Sequence, residues 1–575
     1  MKNYTKYLLA MLLFTGLIAC EDFLEPIDEN RLDFEFVSSD PASAEGLLLQ
    51  GYSRLVDQYS FTEAATDDAV NNQLNNGLKR MVLGELNAQF NPTSRWNNYQ
   101  NVFFLNRFLE IVDAAEIEWN RDEVISDLFN KRLKGEALAL RALHHFYILQ
   151  AHAGVGTSGQ LLGVPYYTEF IEADGDFNLP RLPFRETVEA ILNDFDESLT
   201  LLPTDYGLSE SNLDPIYADF VGDSFLQYDV ANGSRYNLRI SGRIVKALKA
   251  RVALFAASPG YLNDQDLYQM AIDNASEVLD LNGGLGGLNP NGVEFYISER
   301  NVDEAVFRGN IEGPNSGLER RMFPPSVNGR GEINPSENFV NAFPMLNGFP
   351  ATQANGFDPQ NPFANRDPRL EKFVVVNGSS FGGGTINTGF GGGIDRLDSI
   401  PERSTTTGYY LKKLLRPDVR INNDNTTVDQ RNFDVYLRYT ELFLIFAEAA
   451  NEVGGPDVSF NGMSARNVIA AIRERAGITQ PDLYLTNSIT TQDDMRQLIR
   501  NERRLELSFE GHRFWDLRRW QAPLNETVRG NFFDGNNYIE IPSVEARNYP
   551  ANANYLPIPN DEIFKFPAIE QNSGW

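Results

Sequence analysis

The chain has 575 residues, 12% of them aromatic, and sets 79 acids against 50 lysines and arginines for a formal net charge of −29. That length admits several average domains or one large repeat-built unit. The charge excludes a reader of phosphate backbones, which depends on clustered Lys and Arg, and a single cysteine, Cys20, excludes any intramolecular disulfide.

Lys2 and Lys6 open the chain and are followed by an apolar run, YLLAMLLFTGLI, over 7–18. Its 12 residues suit a secretory signal and are too few to span a bilayer, which takes about 20 as a helix. The run ends in Leu17-Ile18-Ala19-Cys20, which resembles the lipobox of bacterial lipoproteins. Lipidation of Cys20 is the expected consequence, and two or more acyl chains, each buried CH₂ worth about 0.8 kcal/mol, hold a protein stably on a membrane. The acidic stretch after Cys20 lacks helical periodicity and reads as a tether over 20–40.

Helix signals then follow one another. A helix is predicted over 41–59, capped by Ser39 or Asp40, with Pro41 in its first position. In 94–116, Trp96, Tyr99, Phe103, Leu105, Ile111 and Val112 keep a 3.6-residue rhythm. Further helices are predicted over 122–153, 185–202, 237–259 and 267–281. Two of them carry small residues at helical spacing, Ala137, Ala139 and Ala142 in one and Ala247, Ala250 and Ala253 in the other, which allow close approach of stacked helices. The expectation is a mainly α fold, a scaffold of tetratricopeptide-like repeats without strict 34-residue self-similarity.

From about 282 to 430 the chain turns to Gly, Pro, Asn and aromatics. FGGG occurs at 381–384 and at 390–393, but no Lys-Ser/Thr follows on a helix, so both read as flexible loop and not as a phosphate cradle. So long an irregular stretch points to a binding region. Helices resume over 433–454 and 464–477, and then comes IRNERRLELSFEGHRFWDLRRW (499–520), with six arginines and four acids. Thr491-x-x-Asp494 ahead of it has the form of a capping box, Gly511 is the predicted break, and Arg503 with Glu506 and Glu510 with Arg513 stand at i,i+3 spacing. These features read as helical packing. The tail beyond about 525 is rich in Pro and Asn.

No catalytic signature emerges. His144, His145 and His152 recur on one helix face, but without HExxH or thiolates they read as packing histidines, and no metal site or cofactor is expected. G-x-S-x-G is absent. Asp67-Asp68 is the carboxylate pair to watch, among acids so numerous that any chosen pair is weak evidence for glycosidase chemistry. Tyr and Trp offer flat faces for stacking on sugar rings, besides filling the core.

Several segments together carry a family resemblance: CEDFLEP (20–26), WNNYQNVFFLN (96–106), ALALRALHHFYILQ (137–150), LLGVPY (161–166), RDPRL (366–370), TGYYLKK (407–413), RYTELFLIFAEAANEVG (438–454), AIRERAG (471–477), the 499–520 stretch and the closing YLPIPNDEI and QNSGW. In this order they resemble the SusD/RagB family of outer-membrane nutrient-binding lipoproteins of Bacteroidetes. The resemblance implies a signal peptide at 1–19, a tether at 20–40 and one SusD-like domain at 41–575. Within that domain the repeat scaffold takes about 41–290 and 431–525, a loop-rich ligand-binding insertion about 291–430, and an irregular tail 526–575. It implies a non-enzymatic, cell-surface binder of oligosaccharide that serves a SusC-like TonB-dependent transporter from the outer membrane. Carried over by position, the ligand residues are Trp96, Asp67, Asp68, Arg80, Tyr296, Arg369 and Tyr409, with Trp96 either a stacking face or core. A surface glycosidase, a binder of peptide or another nutrient, and a purely structural repeat scaffold are the competing readings.

Overall fold

The computed structural model describes residues 34–114 and 117–575; the predicted signal peptide and Cys20 lie outside them. The last residues of the expected tether are helical, Phe34–Ser39, and lead into α1 (Pro41–Gln50). Asp40 is its cap, accepting the Ser43 N–H at 2.8 Å. The helix stops well short of 59: the chain leaves it through tight turns after Gln50, Arg54 takes a φ of 60°, and the Gly51 carbonyl meets His144 Nε2 at 2.7 Å.

A chain of packed helices follows: α2 (Tyr99–Asp113), α3 (Glu123–His152), α4 (Phe184–Leu199), α5 (Gly242–Ala257) and α6 (Gln265–Leu281). Each packs on the one before it. All six alanines named above are fully buried where these helices meet, as their lack of side-chain bulk allows. The helical stack continues with α7 (Tyr439–Gly454), α8 (Ala465–Ala476), α9 (Gln492–Glu506) and α10 (Arg513–Arg519). Helix α6 packs directly on α7 across the whole intervening loop-rich segment, which therefore projects from between two stacked helices. One large hydrophobic core runs through this stack.

The predicted helix over 433–454 begins differently. Phe433–Arg438 is a strand (β4) whose Phe433, Val435 and Leu437 are buried by period-two alternation. It pairs antiparallel with β2 (Ala305–Ile311). A second pair joins β1 (Ala69–Asn71) to β3 (Ile333–Pro335). The loop-rich segment has its own aromatic core, with Phe295, Phe323, Phe339, Phe373 and Tyr410, which Leu505 and Phe509 reach from beyond the helical side. FGGG at 381–384 is not a flexible loop: Ser379–Phe381 and Gly384–Ile386 form a hairpin whose turn residues Gly382 and Gly383 have φ of 62° and 89°, a geometry glycine adopts freely. The tail likewise carries regular structure, a hairpin of β5 (Val528–Phe533) and β6 (Tyr538–Glu545) and a short helix, Asn560–Lys565.

Candidate functional site

Trp96 opens a one-turn 3₁₀ helix, Trp96–Asn98, that feeds α2. Tyr99 and Phe103 follow it at i+3 and i+7, so all three rings stand on one face. The Trp96 ring meets Tyr99 edge-on at 5.0 Å and His152 at 5.3 Å. Tyr99 meets Tyr167 edge-on at 5.3 Å, and Phe103 touches both Tyr167 and Phe177. Two hydroxyls hold this ladder, Tyr99 donating to the Pro165 carbonyl at 2.7 Å and Tyr167 to that of Phe177 at 2.8 Å.

His152 fixes the approach to Trp96. Its Nε2 accepts the Arg95 backbone N–H at 3.2 Å, so the proton sits on Nδ1, which donates to the Pro557 carbonyl at 2.8 Å. Burial pulls its pKa down to about 3, and the ring stays neutral at physiological pH. His144 and His145, likewise buried and bound to backbone carbonyls, are held at about 4 and 3. All three pack between segments, as expected of them.

The aromatic ladder forms one wall of an open groove of about 340 Å³, inside the range of about 300–1,000 Å³ for small-molecule sites. Phe566, Lys565 and Glu562 of the tail form the facing wall, and exposed Asn97 and Gln100 lie on the rim. The Ala568 N–H, donated to Asn178 Oδ1 at 2.8 Å, ties the two walls together. Lys565 and Glu562 pair with each other at 2.9 Å in solvent. The groove is therefore an apolar floor with neutral amides and a compensated ion pair at its edges, suited to stacking and hydrogen bonding and carrying no nucleophile.

The arginine-rich stretch is a buried ionic junction. Arg369 bonds Asp367, Glu502 and Glu506 at 2.6, 2.8 and 3.0 Å. Arg473 reaches Glu502 and Asp482, Arg475 reaches Glu506, and Arg438 reaches Glu304 and Glu510. Arg519 joins Glu448 and Asp516, while Arg504 and Arg513 hold Asp67. The predicted i,i+3 pairs do not form. Arg503 instead meets Asp516 at 3.1 Å and Glu510 meets Lys413 at 2.7 Å, because both side chains turn inward from α9 and the turn after it. Neighbouring cations hold Glu506 down to about 2 against its burial. Burial, helped by the charge of Arg438, pulls Lys413 down to about 8, and Glu510 beside it resists that fall.

Two family models match the chain, one described as the SusD family over residues 303–575 and one as starch-binding, associating with the outer membrane, over 31–213. SusD-like protein P38 of Formosa agariphila is 24% identical over 536 residues, 90% of this chain and 91% of that one. SusD-like protein P2 of the same species is 33% identical over 140 residues, a quarter of each chain. Among solved structures, a SusD-like protein of Bacteroides fragilis superposes with a TM-score of 0.72 at 24% identity, covering 96% of this chain and all of its own. A laminarin-binding SusD-like protein gives a TM-score of 0.58 at 20% identity, over 93% of this chain and all of its own. The chain belongs to the SusD/RagB family. Its fold is the helical, tetratricopeptide-like fold of that family.

The seven residues carried over from the SusD/RagB resemblance do not converge. No hydrogen bond, ion pair or ring contact joins any two of them among the described residues. Asp67 and Asp68 are buried ahead of β1 and engaged by Arg504 and Arg513, whose charge holds Asp67 down to about 2 against desolvation. Arg369 is wholly buried among its three carboxylates. Tyr409 is buried with its hydroxyl bonded to Glu337, and Tyr296 is buried edge-on to Phe295. For these five the structure replaces a surface contact with a packing role. Arg80 is the most exposed of the seven; it pairs with Glu85 at 2.6 Å and lies over the Phe90 ring at 4.4 Å. Trp96 alone lines the aromatic groove. Its partners on α2 share the 3.6-residue rhythm of 94–116, whereas Tyr167, Phe177 and Phe566 carry no sequence signal that joins them to it.

Proposed function

We propose that the groove at Trp96 binds oligosaccharide, that the chain is anchored at the outer-membrane surface through a lipidated Cys20, and that it presents its ligand to a SusC-like TonB-dependent transporter without acting on it. The observation that carries this reading is the groove itself, with four or more ring faces and edges along one wall and amide side chains on the rim. Such a surface stacks on the apolar faces of pyranose rings while the rim amides meet their hydroxyls. The family models, described by starch binding and outer-membrane association, support it, as does a structural neighbour that binds laminarin. Nothing in the groove supplies a nucleophile or a pair of free carboxylates, since Glu562 is paired to Lys565.

The test is affinity electrophoresis of the purified chain in gels containing single polysaccharides, with laminarin and starch first. Retardation by one glycan is expected, reduced roughly tenfold in affinity by Trp96→Ala, which removes one stacking face. Because Trp96 also packs on His152, Gln100→Ala on the exposed rim is the companion variant, expected to weaken binding with an unchanged melting temperature. Product released from the bound glycan over a day, or binding indifferent to both substitutions, would overturn the reading.

A further inference from the structure

Two arginines of the 499–520 stretch have no carboxylate partner among the described residues: Arg518, turned into the core over the Phe514 ring and bonded to the Phe514 carbonyl, and Arg500. Arg500 and Arg504 stand one turn apart on α9, and Arg513 opens α10; the three line a cleft of about 240 Å³ with Asn501, Leu517 and Trp520. Arg504 gives Nε to Asp68 and Nη2 to Asp67, each at 2.7 Å, and Arg513 gives Nη2 to Asp67 at 3.1 Å. Their Nη1 groups make no hydrogen bond among the described residues. Arg500 makes neither hydrogen bond nor ion pair among those residues, and its Nε is buried with no acceptor. Its guanidinium lies 4.7 Å from the centroid of the Trp520 ring, which keeps it flat and fixes its edge. The nearest carboxylates are engaged elsewhere, Glu448 by Arg519 and Glu452 by Arg496. Burial lowers the Arg500 pKa; the charges of Glu448 and Glu452 oppose that fall, and those of Arg519 and Arg496 add to it.

A half-buried cation without a partner is unfavourable in a folded protein. Here it stands beside two further guanidiniums that each keep a free edge, a planar set of donors matched to an oxyanion. Leu517 and Trp520 add apolar surface beside those donors. We propose that this cleft is a second binding site, separate from the Trp96 groove, which takes an anionic sugar: a uronate carboxylate or a sulfate ester received by Arg500, Arg504 and Arg513. The sugar part of the assignment rests on the glycan reading above; the anion part does not. The exposed rim carboxylate of Glu526 opposes an anion, so its removal tests the sign of the field.

The experiment is calorimetric titration of the full chain with trigalacturonate, its methyl ester, a sulfated disaccharide and inorganic sulfate. One or both of the acidic sugars is expected to bind roughly tenfold or more tighter than the ester, with affinity falling as salt is raised, because a rim site is screened. Arg500→Gln abolishes that preference and Arg500→Lys retains part of it, whereas Glu526→Gln strengthens it. Arg500 has no ion pair to lose, so its variants melt no lower than the parent. Equal affinity for acid and ester, or a preference unchanged by Arg500→Gln, overturns the site. Inorganic sulfate binding as tightly as the sulfated sugar overturns its assignment to sugars. Arg500-dependent sulfate binding with no affinity for any oligosaccharide sustains the anion site and counts against the glycan reading alone.

Discussion

Glu63 shows how tightly the first loops are drawn into the interior. It is fully buried; Oε1 accepts the Gly511 N–H at 2.9 Å, while Oε2 has no partner among the described residues. Desolvation, the dominant influence, pushes its pKa up to about 8, so the folded chain keeps a proton that the unfolded chain releases near pH 4.3. A carboxyl raised in the folded state makes stability fall as pH climbs from about 4.3 to 8. Glu63→Gln keeps the acceptor for Gly511 and removes the titration. In urea unfolding followed from pH 5 to 8, the variant is expected to gain on the parent steadily, by on the order of 1–3 kcal/mol at the upper end. A variant less stable than the parent at pH 8 would mean that the carboxylate is charged and paired there, contrary to this account.

Helix α9 carries both the ionic junction and the new cleft, so its start position sets where Arg500, Glu502, Arg503, Arg504 and Glu506 point. The capping box predicted from Thr491-x-x-Asp494 forms: Thr491 Oγ1 accepts the Asp494 N–H at 3.1 Å, and Asp494 Oδ2 accepts the Thr491 N–H at 3.0 Å. Thr491→Ala removes the first of these bonds and is expected to cost about 1 kcal/mol, within the range of roughly 0.5–2 for such caps. The loss should appear as a lower urea midpoint with an unchanged slope. Amide exchange should quicken only in the first turn, since Met495, Leu498 and Ile499 anchor the next ones in the main core. Faster exchange throughout α9 would show instead that the cap governs the whole helix.

Across the molecule, what the sequence revealed was whatever repeats locally. The helices of the stack were legible because a 3.6-residue rhythm and a cap lie within one segment, and Trp96, Tyr99 and Phe103 could be placed on one face for the same reason. Strand β4 was misread because an alternating segment runs straight into the apolar face of α7. The place of Phe177 in the ladder, the facing wall of the groove from Phe566, and the fate of Arg369 depend on contacts between distant segments, which one sequence does not display. The same distance makes the ionic junction a global element of stability. Glu506 and Glu441 titrate near 2 in the folded chain against about 4.3 when unfolded, held down against burial chiefly by Arg475 and Arg369 in one case and by Arg251 in the other. Their stabilisation is fully present above about pH 4.3 and is lost as pH falls toward 2. Because Arg369–Glu506 joins the loop-rich segment to the helical stack, while Arg251–Glu441 ties two helices within the stack, acid should release both parts together. Urea midpoints read from pH 6 down to 2.5 by far-ultraviolet dichroism and by tryptophan fluorescence are therefore expected to coincide and to drop below pH 4.3. Glu506→Gln should lower the midpoint at neutral pH and flatten the acid slope. A midpoint level down to pH 3, or two transitions that separate, would show that the buried pairs do not hold the two parts as one cooperative unit.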